Sequence, residues 1–164
     1  MTTTSQADFD AFVVARSRAL ARTAYLLTGD FHLAEDLVQT ALFKAARVWH
    51  RLEGDPEPYV RRILYTQNVS WWRSRRHRES SLDLYDAPAA ATDVDIRLVL
   101  GRAMAALTPR QRTVVTLRYF EDLSVARTAD ALGIRESTVK TLTQQGLARL
   151  RSAVPDLADL TEGS

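Results

Sequence analysis

The 164-residue chain contains no cysteine, which excludes disulfides and thiolate metal or redox chemistry and fits a reducing, cytoplasmic compartment. No apolar run approaches the roughly 18 residues that a membrane helix needs. The first residues, MTTTSQADFDAF, lack the basic region and apolar core of a secretion signal, so a soluble, unprocessed chain without membrane insertion is expected. Period-two alternation is almost missing. Apolar residues recur at three and four instead, which argues against a sheet and predicts an all-α fold. Also missing are a Gly-rich phosphate loop, a metal-ligand spacing among His32, His50 and His77, and any local Ser/His/Asp or Cys/His set. No metal, cofactor or enzymatic chemistry is expected, and the three histidines read as surface residues. Nor is there a large excess of one charge: the formal net charge is only +2. The isoelectric point is about 9.2, so any case for nucleic acid rests on where the charges are placed.

What the chain does contain is organised around Leu107 to Arg151, which reads as three helices with their punctuation written in. Thr108-Pro109-Arg110-Gln111 supplies a Thr cap, a proline at the first helical position and a Gln three residues after the cap. A helix through Tyr119 follows. Ser124 caps the next, whose Val125, Ala129 and Leu132 share one face, and Gly133 supplies a left-handed terminator, with Ile134 plugging the corner. The last helix turns Val139, Leu142, Leu147 and Leu150 inward and leaves Ser137, Thr138, Lys140, Thr141, Gln144 and Gln145 mostly outward. Two helices joined by a tight Gly turn, the second polar and acid-poor, form a helix-turn-helix suited to reading base edges in a major groove. A plain helical hairpin whose outward residues meet only water is the competing reading.

Upstream, Phe9, Phe12, Val13, Leu20, Ala24 and Leu27 make one apolar stripe, predicting a first helix from Phe9 to Leu27. Thr28-Gly29-Asp30 breaks it, with Asp30 as the next cap. A second helix, His32 to about Trp49, would bury every apolar residue but Phe43. That residue falls outward with Asp36, Gln39, Thr40, Lys44 and Arg47, a mixed face suited to a protein partner unless a neighbouring helix covers the ring. Arg51 to Pro58 reads as a loop. A third helix, about Tyr59 to Arg76, turns Val60, Ile63, Leu64 and one tryptophan to the core. It carries Arg61, Arg62, Arg73, Arg75 and Arg76 without an acid, interleaved with Thr66, Gln67, Ser70, Trp71 and Trp72. Arginines hold phosphates, indoles stack unpaired bases and amides bond base edges, which is the mixture single-stranded nucleic acid requires. A solvated basic face with both tryptophans in the core is the alternative. Glu79 to Asp95 is acidic and aperiodic, a tether; helical order resumes from Val94 to Leu107, with Val94, Leu98, Met104, Ala105 and Leu107 available to pack, and the acidic tail frays.

AEDLVQTALFKAARVW, PYVRRILYTQNVSWWRSRR and the stretch after Thr108, in this order, resemble the extracytoplasmic-function sigma factors of bacterial RNA polymerase, within the sigma-70 superfamily. The SWWR form is similar to small actinobacterial members. The resemblance implies a two-domain all-α fold: sigma domain 2, a helical bundle, over 1–78; a linker over 79–95; sigma domain 4, the helix-turn-helix, over 96–155; and a tail over 156–164. It implies that Asp36, Gln39, Thr40, Phe43 and Lys44 dock on the β′ coiled coil of core polymerase, with the β subunit as a further contact. Arg61, Arg62, Thr66, Gln67, Ser70, Trp71, Trp72, Arg73, Arg75 and Arg76 would meet the minus-ten element as it melts, one flipped base entering the Arg51–Pro58 loop. Arg135, Ser137, Thr138, Lys140, Thr141 and Gln144 would read the minus-thirty-five duplex. Thr40 and Thr66 stand where the family usually has Glu and Asn, and Arg135 where it has Ser or Pro. Such factors are commonly clamped by an anti-sigma protein, a partner the tether permits here. The competing function is a stand-alone helix-turn-helix regulator whose N-terminal helices sense a ligand or dimerise.

Overall fold

The computed structural model describes residues 3–78, 100 and 103–153, and for 75–78 the backbone only. The expected tether, the tail, and the helix start at Val94 and Leu98 lie outside the described residues. The chain divides into two compact units, Met1–Ser81 and Leu82–Ser164, and every regular element among the described residues is helical, as the periodicity predicts.

In the first unit, α1 spans Thr3–Thr28, starting earlier than the apolar stripe indicated because its first turns are polar. Gln6 Nε2 donates to Asp10 Oδ1 at 2.9 Å on that exposed extension. Phe9 and Phe12 then close over Trp49, their ring centroids 5.0 and 5.2 Å from the indole, which leaves Trp49 buried. Gly29, at φ +68°, ends the helix, and Asp30 caps α2 by accepting from Leu33 N at 3.0 Å. α2 spans Phe31–Val48 and runs into a 3-10 turn at Trp49–Arg51. It buries Ala34, Leu37, Val38, Ala41 and Ala45.

α3 spans Glu57–Arg78, two residues longer at its start than expected. Asp55 Oδ1 accepts from Glu57 N at 3.0 Å and so starts the helix before Pro58, which sits in the first turn where its missing N–H costs nothing. Val60 and Leu64 are buried as expected and Ile63 half-buried; Tyr65, Asn68 and Val69 are buried too. Leu20, Leu37 and Leu64 are fully buried, each contributing about 1.5–3 kcal/mol of burial free energy.

The second unit is built on a cluster of Met104, Leu107 and Val115, with Leu100 and Leu150 against it. Ala103, rather than Ala105, turns inward: a tight turn joins Ala106 N to Ala103 O and Leu107 N to Met104 O, and throws Ala105 out. α4 spans Pro109–Val115 with the full capping box, Thr108 Oγ1 accepting from Gln111 N and Gln111 Oε1 from Thr108 N. The helix does not continue regularly to Tyr119. At Thr116 it widens into a five-residue π turn through Phe120, closed by Glu121 N to Thr116 O at 3.0 Å, which leaves Tyr119 and Phe120 exposed.

α5, Val125–Leu132, is capped by Ser124 and stopped by Gly133 at φ +65°; Ile134 N returns to Ala129 O at 3.1 Å. α6, Glu136–Ala153, completes the helix-turn-helix. Val139 is wholly buried, while Leu142, Leu147 and Leu150 are half-buried. α6 passes close to α4 at Gly146, where a Cβ would lie 2.8 Å from Val115 Cγ2.

Candidate functional site

Three solvent-facing surfaces hold most of the sequence-predicted site residues, two on the first unit and one on the second. On α2 the core-facing residues Leu37, Ala41 and Ala45 leave the opposite side to Asp36, Gln39, Phe43 and Arg47, all exposed, with Thr40 half-buried at its edge. Among the described residues no helix covers Phe43. Its ring is 67% exposed, so an aromatic stands in water amid polar groups.

On α3, Arg62, Thr66, Ser70 and Arg73 are all exposed and recur at four and three, forming one stripe along the helix. Tyr59 continues it at the N-terminal end with a 39% exposed ring; the same spacing identifies it, though attention to the tryptophans passes it over. Trp71 and Trp72 are both half-buried, so neither is sealed in the core, and the Arg73 guanidinium lies 5.9 Å from the Trp72 ring centroid. Thr66 Oγ1 donates to Arg62 O at 3.0 Å, which leaves its lone pairs as what it offers outward. Gln67 sits half-buried at the edge of the stripe, where its Oε1 accepts from Lys44 Nζ at 2.6 Å. The side chains of Arg75 and Arg76 lie outside the described residues.

Arg61 differs from its neighbours. Its Nη1 donates to Thr23 Oγ1 at 2.9 Å, and its Nε and Nη2 lie 3.0 and 2.9 Å from Glu57 Oε1, while Arg16 Nε meets Glu57 Oε2 at 3.2 Å. The guanidinium braces α3 to α1 beside the 52–56 loop and is engaged inside the unit, away from the stripe. Arg61→Ala is therefore expected to lower the melting temperature, removing about 1–2 kcal/mol by loss of charged hydrogen bonds. Arg62→Ala, on the exposed stripe, should lower it far less in the same thermal denaturation.

On α6, Arg135, Ser137, Lys140, Thr141, Gln144 and Gln145 are exposed and Thr138 is half-buried, so the sequence-predicted reading residues lie together along the outer side of the second helix of the helix-turn-helix. Thr141 Oγ1 donates to Ser137 O at 3.0 Å, and Gln145 Oε1 accepts from Gln111 Nε2 at 3.5 Å. Val139 N bonds Arg135 O at 3.1 Å, which sets Arg135 at the entrance of the helix with its side chain in solvent.

Comparison with known proteins matches this arrangement piece by piece. A family model described as Sigma-70 region 2 matches residues 12–78, and one described as Sigma-70, region 4 matches residues 97–150. The RNA polymerase sigma-E factor of Streptomyces coelicolor is 37% identical over 150 residues, spanning 88% of this chain and 84% of that protein. The chain belongs to the extracytoplasmic-function sigma factors of the sigma-70 family. A second relative of this sigma family, the ECF RNA polymerase sigma factor SigL of Mycobacterium tuberculosis, is 33% identical and spans 83% of this chain and 82% of its own. The sigma fold is shared with the sigma factor RpoE from Bartonella quintana, crystallised with the anti-sigma factor NepR. That match has a TM-score of 0.66 at 23% identity and covers 90% of this chain and 97% of the other. None of the helices among the described residues of this sigma factor is long and apolar enough to cross a membrane.

Proposed function

We infer that this chain is a promoter-specificity subunit that binds core RNA polymerase in the cytoplasm, directs it to a restricted set of promoters and helps open them. The observation that carries the reading is the acid-free exposed stripe on α3, flanked by tryptophans, in a chain whose other unit presents a polar helix-turn-helix face. A repressor has no use for such a stripe.

In this reading the α2 face around Asp36, Gln39, Thr40, Phe43 and Lys44 rides on the polymerase. Arg62 and Arg73 hold phosphates of the separated minus-ten strand, while Tyr59, Trp71 and Trp72 offer rings to unpaired bases. Each stacked base is worth roughly 1–3 kcal/mol, and a base captured outside the stack stabilises the open strand at the expense of the duplex, so recognition and melting are one event. Arg61 acts here as a brace between α3 and α1. Arg135, Ser137, Thr138, Lys140, Thr141 and Gln144 read the minus-thirty-five duplex.

Run-off transcription with purified core polymerase tests the whole. Promoter-dependent transcripts from genomic fragments are expected. Tight duplex binding by the protein alone, with no transcript from any fragment, would instead favour the stand-alone regulator. Changing Lys140 and Thr141 to Ala should shift the minus-thirty-five preference, removing about 1–3 kcal/mol of discrimination per base read, with core affinity unchanged. An unaltered preference in a promoter selection would mean that another face reads the duplex.

A further inference from the structure

We propose that Lys44 determines base preference in the minus-ten segment by fixing which way round Gln67 presents its amide. The proposal rests on the reading that α3 meets minus-ten DNA. Lys44 comes from α2 and Gln67 from α3, and the two side chains meet at 2.6 Å, Nζ to Oε1.

A glutamine in solvent is ambiguous, because its amide can rotate to offer either the oxygen or the amino group. An ammonium removes the ambiguity. It has three donors and no acceptor, so only the amide oxygen can face it, and Nε2 with its two N–H donors must point the other way. Gln67 lies one residue beyond Thr66, about 100° round the helix from the centre of the exposed stripe. Lys44 reaches it from α2 and occupies Oε1, so the half of the amide left for a base is Nε2 with its two donors. What Gln67 shows a base is a donor.

On the edges a base pair shows in the major groove, a donor is met by guanine O6 and N7, thymine O4 and adenine N7, and is opposed only at cytosine, which shows its amino group alone. Without the lysine, either orientation is open and the usual Gln pairing with adenine, which needs the amide oxygen, becomes available. With a carboxylate at position 44 the amide turns over, since a carboxylate only accepts. Lys44 is thus a specificity-determining residue at one remove. It selects the base through the glutamine, and its position on the docking helix puts that selection beside the polymerase contact.

The test uses holoenzyme reconstituted from core polymerase and the full chain, transcribing a promoter library randomised across the minus-ten segment. Gln67→Ala marks the position that Gln67 reads. There the unaltered protein should disfavour cytosine by about fivefold, the ratio that one ordinary hydrogen bond supports. Lys44→Arg keeps the donor and the preference; Lys44→Met brings the ratio towards one; Lys44→Glu reverses it in favour of cytosine. These are ratios within one holoenzyme, so any change in core affinity leaves them readable. If Gln67→Ala erases a preference that Lys44→Met and Lys44→Glu leave intact, the role of Lys44 is refuted while α3 keeps its place on the DNA. If Gln67→Ala changes no preference at all, the proposal is refuted together with the placement of Gln67 at the minus-ten strand.

Discussion

Gly146→Val is expected to lower the melting temperature by roughly 10–20 °C, the shift that a loss of about 3 kcal/mol causes in a domain of this size. The reason is geometric. A Cβ at position 146 would sit 2.8 Å from Val115 Cγ2 and 3.6 Å from Gln111 Cβ. Val115 is itself packed with Met104 and Leu107, so it has no empty space to swing into. Alanine at position 146 separates two opposed effects: it gains about 1 kcal/mol of helix propensity, and overpacking costs about 1–3 kcal/mol. A net loss is expected, and valine, with two more methyl groups against the same wall, makes it larger. The double variant Val115→Ala with Gly146→Ala should recover much of the loss, because it removes the atom in the way. Differential scanning calorimetry reads all three, and duplex binding should fall with the folded fraction. A Gly146→Ala protein that melts no lower than the parent would show that α6 does not press on α4 as closely as the backbone indicates.

Gly146 also marks the boundary of what the chain discloses before it is folded. Helix ends were legible because caps are local: Asp30, Thr108, Ser124 and Gly133 each act on residues within five positions of themselves. The outward placement of Phe43 and of the polar α6 face followed from 3.6-residue periodicity, which is also local. What periodicity could not supply was contact across the fold. Gly146 and Arg61 carry no local sign of their roles, since Val115 and Thr23 are far away in sequence. The Lys44 to Gln67 bond joins residues assigned to two different faces for the same reason. Polar helix extensions were missed too. Thr3 to Asp8 shows no apolar stripe, and Glu57 lies in a stretch that Gly54, Pro56 and Pro58 mark as loop until Asp55 caps it. The π turn at Thr116 has no composition signal at all; it shows only as a helix in which Tyr119 and Phe120 are both exposed.

Phe43→Ala is the substitution with the largest expected effect on function and almost none on folding. A ring that is 67% exposed contributes little to the interior of the first unit, so the melting temperature should stay within a degree or two of the parent. Docked on polymerase the same ring leaves water, and aromatic anchors of this kind cost 2 kcal/mol or more when truncated, which is about a 30-fold loss of core affinity. Gln39, one turn earlier on the same face and also exposed, should cost less when truncated, about fivefold, as a single polar contact at the rim of the aromatic anchor. Exposure alone does not produce this outcome, and Val14 provides the control. It is 86% exposed but lies on α1 and not on α2, and Val14→Ala should leave core affinity unchanged. Phe31 provides a second, since it is 58% exposed but already stacked on Tyr25 at 4.4 Å, so its ring has an internal partner and less to gain from a new one. Fluorescence titration of core enzyme with the four variants ranks them. The order Phe43, then Gln39, then Phe31 and Val14 is what a docking face centred on α2 requires; an order led by Phe31 would move the polymerase contact to the corner between α1 and α2.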